Sequence, residues 1–151
     1  MILIAHRGNI DGPNPLKENH PDYIDEAISE GYDVEIDIRY SPLANKMYLG
    51  HDASTYGVTL HWIDERMSKL WIHCKNIEAL EYFTSKSEGY NYFWHQEDDF
   101  TLTSKRYIWT YPGKPYTLKS IIVMPELIES FNYSKPKDCY GVCSDYVGKL
   151  K

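Results

Sequence analysis

The segment Asp33-Val34-Glu35-Ile36-Asp37-Ile38-Arg39-Tyr40 carries two carboxylates, Glu35 and Asp37, two residues apart. It alternates strictly between polar and apolar residues, which predicts a β-strand. Val34, Ile36 and Ile38 then point one way, and Glu35, Asp37 and Arg39 the other. Two carboxylates on one face repel each other unless one is protonated or a cation sits between them. A divalent metal with oxygen ligands answers that problem, and Mg²⁺ or Ca²⁺ fits best. A solvated strand face balanced by Arg39 is the structural alternative.

Two histidines stand near this pair at the ends of expected strands. His6 follows the apolar run Ile2 to Ala5, and His51 follows a short strand at Met47 to Leu49. Two imidazoles suit acid–base chemistry near neutral pH. Phosphodiester cleavage has that need, because one group takes a proton from the nucleophile and another protonates the leaving oxygen. A metal and nearby cations then stabilise the charged transition state. Arg7 and Lys75 could supply that positive charge, Arg7 with a bidentate grip.

The elements that must position these groups alternate along the chain. A helix is expected from Pro21 to Glu30, stopped by Gly31. Leu70 to Cys74 predicts another strand, and Glu78 to Lys86 a helix. Further strands are expected at 92–94, 107–110, 120–123 and 140–143. The sum is about eight strands, several separated by helices, which suggests a mainly parallel α/β barrel. A full (β/α)8 barrel takes roughly 250 residues, and this chain has 151. The expectation is therefore one domain over residues 1–151, a compact, trimmed TIM-type barrel with some connecting helices short or missing. In such barrels the residues at the C-terminal strand ends converge on one pocket.

Composition narrows the partners. Hydrophobic residues make up 42% and the net charge is −6. An acidic chain without a basic stripe disfavours nucleic acid. The N-terminal apolar run is too short for a signal peptide and no run reaches transmembrane length, so no stable membrane insertion is expected and the cytoplasm is the default compartment. Cys74, Cys139 and Cys143 form neither a disulfide framework nor a zinc motif.

In order, His6-Arg7-Gly8, Glu18-Asn19, Glu35-x-Asp37, His51-Asp52 and a strand ending in Lys75 resemble the glycerophosphodiester phosphodiesterase family, within the phospholipase-C-like phosphodiesterase superfamily. Cys143-Ser144-Asp145-Tyr146 is similar to the stretch that closes many of these barrels. The resemblance implies a (β/α)8 barrel, a divalent metal and a two-histidine mechanism on a small phosphodiester. His6 and His51 then stand as the acid–base pair, Glu35 and Asp37 as metal ligands, and Arg7 and Lys75 as phosphate contacts. Glu18 and Asn19 are placed near the metal and the first loop, with Asn19 among the phosphate-binding residues. The family has an acidic third ligand two residues before the lysine, where this chain has His73. As a neutral donor, His73 would shift the site towards Mn²⁺ or Zn²⁺; alternatively it bonds the substrate. His95, Trp109, Tyr111 and Glu126 lie near later strand ends, and His95 and Trp109 are taken as further substrate contacts. Hydrolysis by water and attack by a neighbouring substrate hydroxyl, with release of a cyclic phosphate, are both open. A catalytically silent barrel that binds a phosphorylated or glycosylated ligand is the rival. An amidohydrolase-like barrel is disfavoured by the lack of a His-x-His pair.

Overall fold

The computed structural model describes residues 1–86, 89–131, 133 and 136–151. Ten strands form one mixed sheet: β1 (Ile2–His6), β2 (Asp33–Ser41), β3 (Lys46–Leu49), β4 (Tyr56–Val58), β5 (Leu70–Cys74), β6 (Asn91–Phe93), β7 (Phe100–Leu102), β8 (Ile108–Thr110), β9 (Ser120–Val123) and β10 (Gly141–Ser144). Three short helices accompany it among the described residues: α1 (Pro21–Ser29), α2 (Leu60–Arg66) and α3 (Ile77–Thr84). A parallel run β6-β5-β2-β1-β10-β9-β8 makes the body of the sheet.

The expected (β/α)8 barrel is overturned. The sheet is a curled half-barrel, and three features depart from a closed parallel ring. β3 returns antiparallel on β2 through a four-residue turn, with Ser41 opposite Lys46, and β4 continues that hairpin. β7 folds back antiparallel on β8. Among the described residues β6 pairs only with β5, and no ladder there closes the curl. The physical reason is the shortage of helix. Among the described residues, the links from β8 to β9 and from β9 to β10 hold no α-helix, only a 3₁₀ turn at Pro125–Leu127. Without crossover helices the outer face of that half cannot be covered as a barrel requires.

The strand β2 and its neighbours behave as their alternation predicts. Val34, Ile36 and Ile38 pack outward against Ile24 and Ala27 of α1, Ile63 of α2, and Ala79 and Phe83 of α3 in one buried cluster. The inner face holds a second cluster of Ile4, Trp71, Phe93, Trp109, Ile121 and Cys143, one residue from each of six parallel strands. Each helix starts on a side-chain cap: His20 for α1, Thr59 for α2 and Asn76 for α3, which satisfies amides that the first turn leaves free. Asn76 also exchanges two bonds with the Tyr40 backbone. That fixes the chain where it leaves β5, immediately after Lys75. No described helix is long and apolar enough to cross a membrane.

Candidate functional site

One layer above the inner apolar cluster, the same strands present polar groups. His6 lies opposite Glu35 across β1 and β2, and Asp37 lies opposite His73 across β2 and β5. Period-two alternation places all four on the inner face with Ile4, Trp71 and Phe93. Glu35 is 1% exposed and Asp37 fully buried. His73 Nδ1 is 3.4 Å from Glu35 Oε1 and 3.5 Å from Asp37 Oδ1. Among the described residues, Glu35, Asp37 and His73 form the one cluster whose donor atoms all lie within 4.8 Å of one another.

The carboxylates are unequally satisfied. Asp37 Oδ2 accepts from Asn19 Nδ2 at 2.9 Å, and the Asp37 amide donates to Asn19 Oδ1 at 2.9 Å. Arg7 Nε also lies 2.9 Å from Oδ2. Asp37 Oδ1 and Glu35 Oε2, by contrast, are buried with no hydrogen-bond partner. Buried acceptors are normally paired, and an unpaired anionic oxygen is costlier still. Asp37 Oδ1 lies beside His73 Nδ1 and Glu35 Oε2 beside His6 Nε2, and unpaired anionic oxygens of this kind fit a bound cation. Burial opposes ionisation of Glu35, yet His73, His6 and Arg7 hold its carboxyl well below the usual range.

His6 is held from behind. Its Nδ1 donates to Asp145 Oδ1 at 2.7 Å, and Nε2 faces Glu35 Oε2 at 3.9 Å. Asn9 Nδ2 donates to the same Asp145 oxygen at 2.8 Å and to Glu18 Oε1 at 3.0 Å. Glu126 accepts from the Asp145 amide and from Ser144 Oγ, both at 2.8 Å. Burial opposes charge on His6, but the Asp145 hydrogen bond and the Glu35 charge outweigh it and raise its pKa above 6.5. Asp145 is in turn held below its ordinary 3.8, burial being outweighed by the His6 hydrogen bond and charge.

The signs give a pH window. The raised histidine contributes stability below pH 6.5 and loses it as pH rises through its folded pKa. The lowered aspartate contributes above 3.8 and loses it as pH falls through its own. The pair is therefore strongest between those limits. Asp145→Asn is expected to lower the His6 pKa, read by NMR titration of the ring in metal-free protein. An unchanged titration would show that Asp145 does not set the charge of His6.

Backbone strain places the flanking cations and the second histidine. Arg7 takes φ +53° at the end of β1, and its Nη1 donates to Glu18 Oε2 at 3.1 Å. Lys75 Nζ is 3.9 Å from Asp37 Oδ1. Gly50 sits at φ +145°, and a Cβ there would lie 2.1 Å from the Ala53 carbonyl oxygen, so the turn carrying His51 requires glycine. His51 Nδ1 donates to Asp52 Oδ1 at 2.7 Å, with its side chain 41% exposed. Arg39 brackets this loop to the strand end, donating to the His51 carbonyl at 2.6 Å and to the Lys75 carbonyl at 3.1 Å. A cavity of about 260 Å³ opens between Arg7, Glu18, Asn19, His51, Thr55 and Tyr56.

The structure thus gathers His6, Arg7, Glu35, Asp37, His73 and Lys75, and ties His51 to them through the cavity that Arg7 shares. Three expected contacts change role. Asn19 spends both ends of its amide on Asp37 and is 2% exposed, so it positions that carboxylate and keeps no end of its amide for phosphate. Trp109 is 3% exposed in the inner cluster, its ring tilted against Phe93 with centroids 4.5 Å apart, which makes it a packing residue. The His95 ring donates to the Asp98 carbonyl at 2.5 Å, and its own carbonyl accepts from His73 Nε2 at 2.7 Å. Its role is to orient His73. The structure adds Asp145, Asn9 and Arg39 to the site. Asp145 was within reach, because it follows β10 at a strand end as the other site residues do.

Searches against protein-family models, curated proteins and solved structures give no match.

Proposed function

We propose that this chain is a metal-dependent phosphodiesterase acting on a small phosphodiester. The observation that carries the proposal is the Glu35–Asp37–His73 cluster, in which the buried, partnerless Asp37 Oδ1 lies 3.5 Å from His73 Nδ1 and the buried, partnerless Glu35 Oε2 turns to His6, with the cations of Arg7 and Lys75 beside Asp37. An anionic ligand brought to that cluster would meet a metal and two cations. The metal would be held by Glu35, Asp37 Oδ1 and His73 Nδ1, and would polarise a phosphoryl oxygen.

His6 moves a proton at Nε2, since Nδ1 is bound to Asp145. His51, braced by Asp52, exchanges the second proton from the cavity rim. Arg7 and Lys75 neutralise the phosphate oxygens. The cavity of about 260 Å³ is of a size for one small headgroup. The order of motifs resembling the glycerophosphodiester phosphodiesterase family supports the same chemistry, and the cytoplasm is the proposed compartment.

The test is turnover of bis(4-nitrophenyl) phosphate before and after chelation. Activity is expected to stop on chelation and return when a divalent ion is added. Protein that binds the ion by calorimetry yet turns over no diester with any divalent metal would replace the enzyme with a ligand-binding protein.

A further inference from the structure

We infer that the Glu35–Asp37–His73 site selects a transition ion that accepts an imidazole ligand, Zn²⁺ first and Mn²⁺ after it, over Mg²⁺ and Ca²⁺, because the fold locks His73 in the one tautomer that offers Nδ1 as a donor. This rests on the metal proposed above and concerns only its identity.

The lock has two parts. His73 Nε2 is 2.7 Å from the His95 carbonyl oxygen. A carbonyl only accepts, so Nε2 carries the hydrogen and the neutral ring keeps its lone pair on Nδ1. The ring cannot swing away readily, because it stacks on Phe93 at 4.9 Å with 21° between planes. Histidine ligands in metal sites are oriented in this way, through the nitrogen that does not bind the ion.

Nδ1 then faces two anionic oxygens, at 3.4 Å on Glu35 and 3.5 Å on Asp37. Those separations are long for hydrogen bonds. They match the spacing of donors that share one ion through bonds of about 2.0–2.2 Å. Without an ion a hydrogen on Nδ1 links the ring to Glu35, and a bound cation would take that hydrogen's place between the ring and the two carboxylates. The asymmetry of Asp37 fits the same arrangement. Oδ2 is occupied by Asn19 and Arg7, which leaves Oδ1, the partnerless oxygen, as a single ligand.

Donor chemistry decides the class of ion. Mg²⁺ and Ca²⁺ take oxygen ligands, and Ca²⁺ takes six to eight of them. The cluster offers one nitrogen and the oxygens of only two carboxylates, and one oxygen of Asp37 is already engaged by Asn19 and Arg7. Imidazole with carboxylate suits Zn²⁺ and tolerates Mn²⁺, and affinity rises from Mn²⁺ to Zn²⁺ for such sites.

The experiment is calorimetric titration of the chelated full chain with Zn²⁺, Mn²⁺, Mg²⁺ and Ca²⁺, together with electron spin-echo spectroscopy of the Mn²⁺ complex. Zn²⁺ and Mn²⁺ are expected to bind at least tenfold more tightly than Mg²⁺ or Ca²⁺, and the Mn²⁺ echo to show modulation from a histidine nitrogen. His73→Asp is expected to abolish the modulation and to shift the Mn²⁺-to-Mg²⁺ affinity ratio at least tenfold towards Mg²⁺. Mn²⁺ bound without nitrogen modulation, or an unchanged ratio in His73→Asp, overturns the selectivity and leaves a metal-dependent enzyme standing. Failure of every ion to bind removes the proposed metal and this selectivity together.

Discussion

Replacing His6 with alanine is expected to lower diester turnover by about 10²–10⁴-fold, the range of positioned acid–base catalysis, while the metal affinity measured by calorimetry changes little. The separation follows from geometry. His6 Nε2 stands 3.9 Å from Glu35 Oε2, and its other nitrogen is spent on Asp145. It is therefore beside the carboxylates but not part of the cluster of donor atoms. The readout is kcat with saturating metal. A variant that keeps wild-type kcat would remove His6 from the mechanism. One that loses metal binding as well as turnover would make it a ligand or a structural prop.

Trp109→Ala is expected to act on stability instead. Trp109 fills the centre of the inner apolar cluster, touching Phe93 at 4.5 Å and Trp71 at 6.0 Å between ring centroids. Truncating a buried aromatic leaves a cavity and costs about 3–5 kcal/mol. For a chain of this size that lowers the thermal midpoint by roughly 6–20 °C. The fraction still folded is expected to keep its KM, because Trp109 faces packing rather than the cavity. An unchanged midpoint with a raised KM would return Trp109 to the substrate.

These two residues mark where the sequence was legible. Strong local periodicity revealed β2, so Glu35 and Asp37 fell on one face and the outward Val34, Ile36 and Ile38 met the helices. Strand ends revealed His6 and Lys75. The same logic overreached at Trp109, because alternation assigns a face but not a depth: Trp109 sits in the apolar layer, not above it. Closure of the barrel was illegible for a different reason. Pairing partners are distant, and nothing near Asn91–Phe93 states that β6 has only one neighbour. The β2–β3 hairpin did carry a local signal, since the four residues Pro42 to Asn45 link two short strands and Asn45 takes a positive φ. α2 buries only Ile63, too little for a periodic pattern. Asp145 was missed as a partner of His6 because 139 positions separate them.

That separation bears on assembly. β1 is placed in the middle of the sheet, between β2 and β10, so its second edge stays bare until residues 141–144 arrive. Pairing across such a span is slow, since a long loop must close before any contact rewards it. His6 therefore gains its carboxylate in the same event that completes the sheet. A nascent or clipped chain would carry the imidazole but lack its anchor. The charge and orientation of His6 are thus set only once β10 has paired with β1.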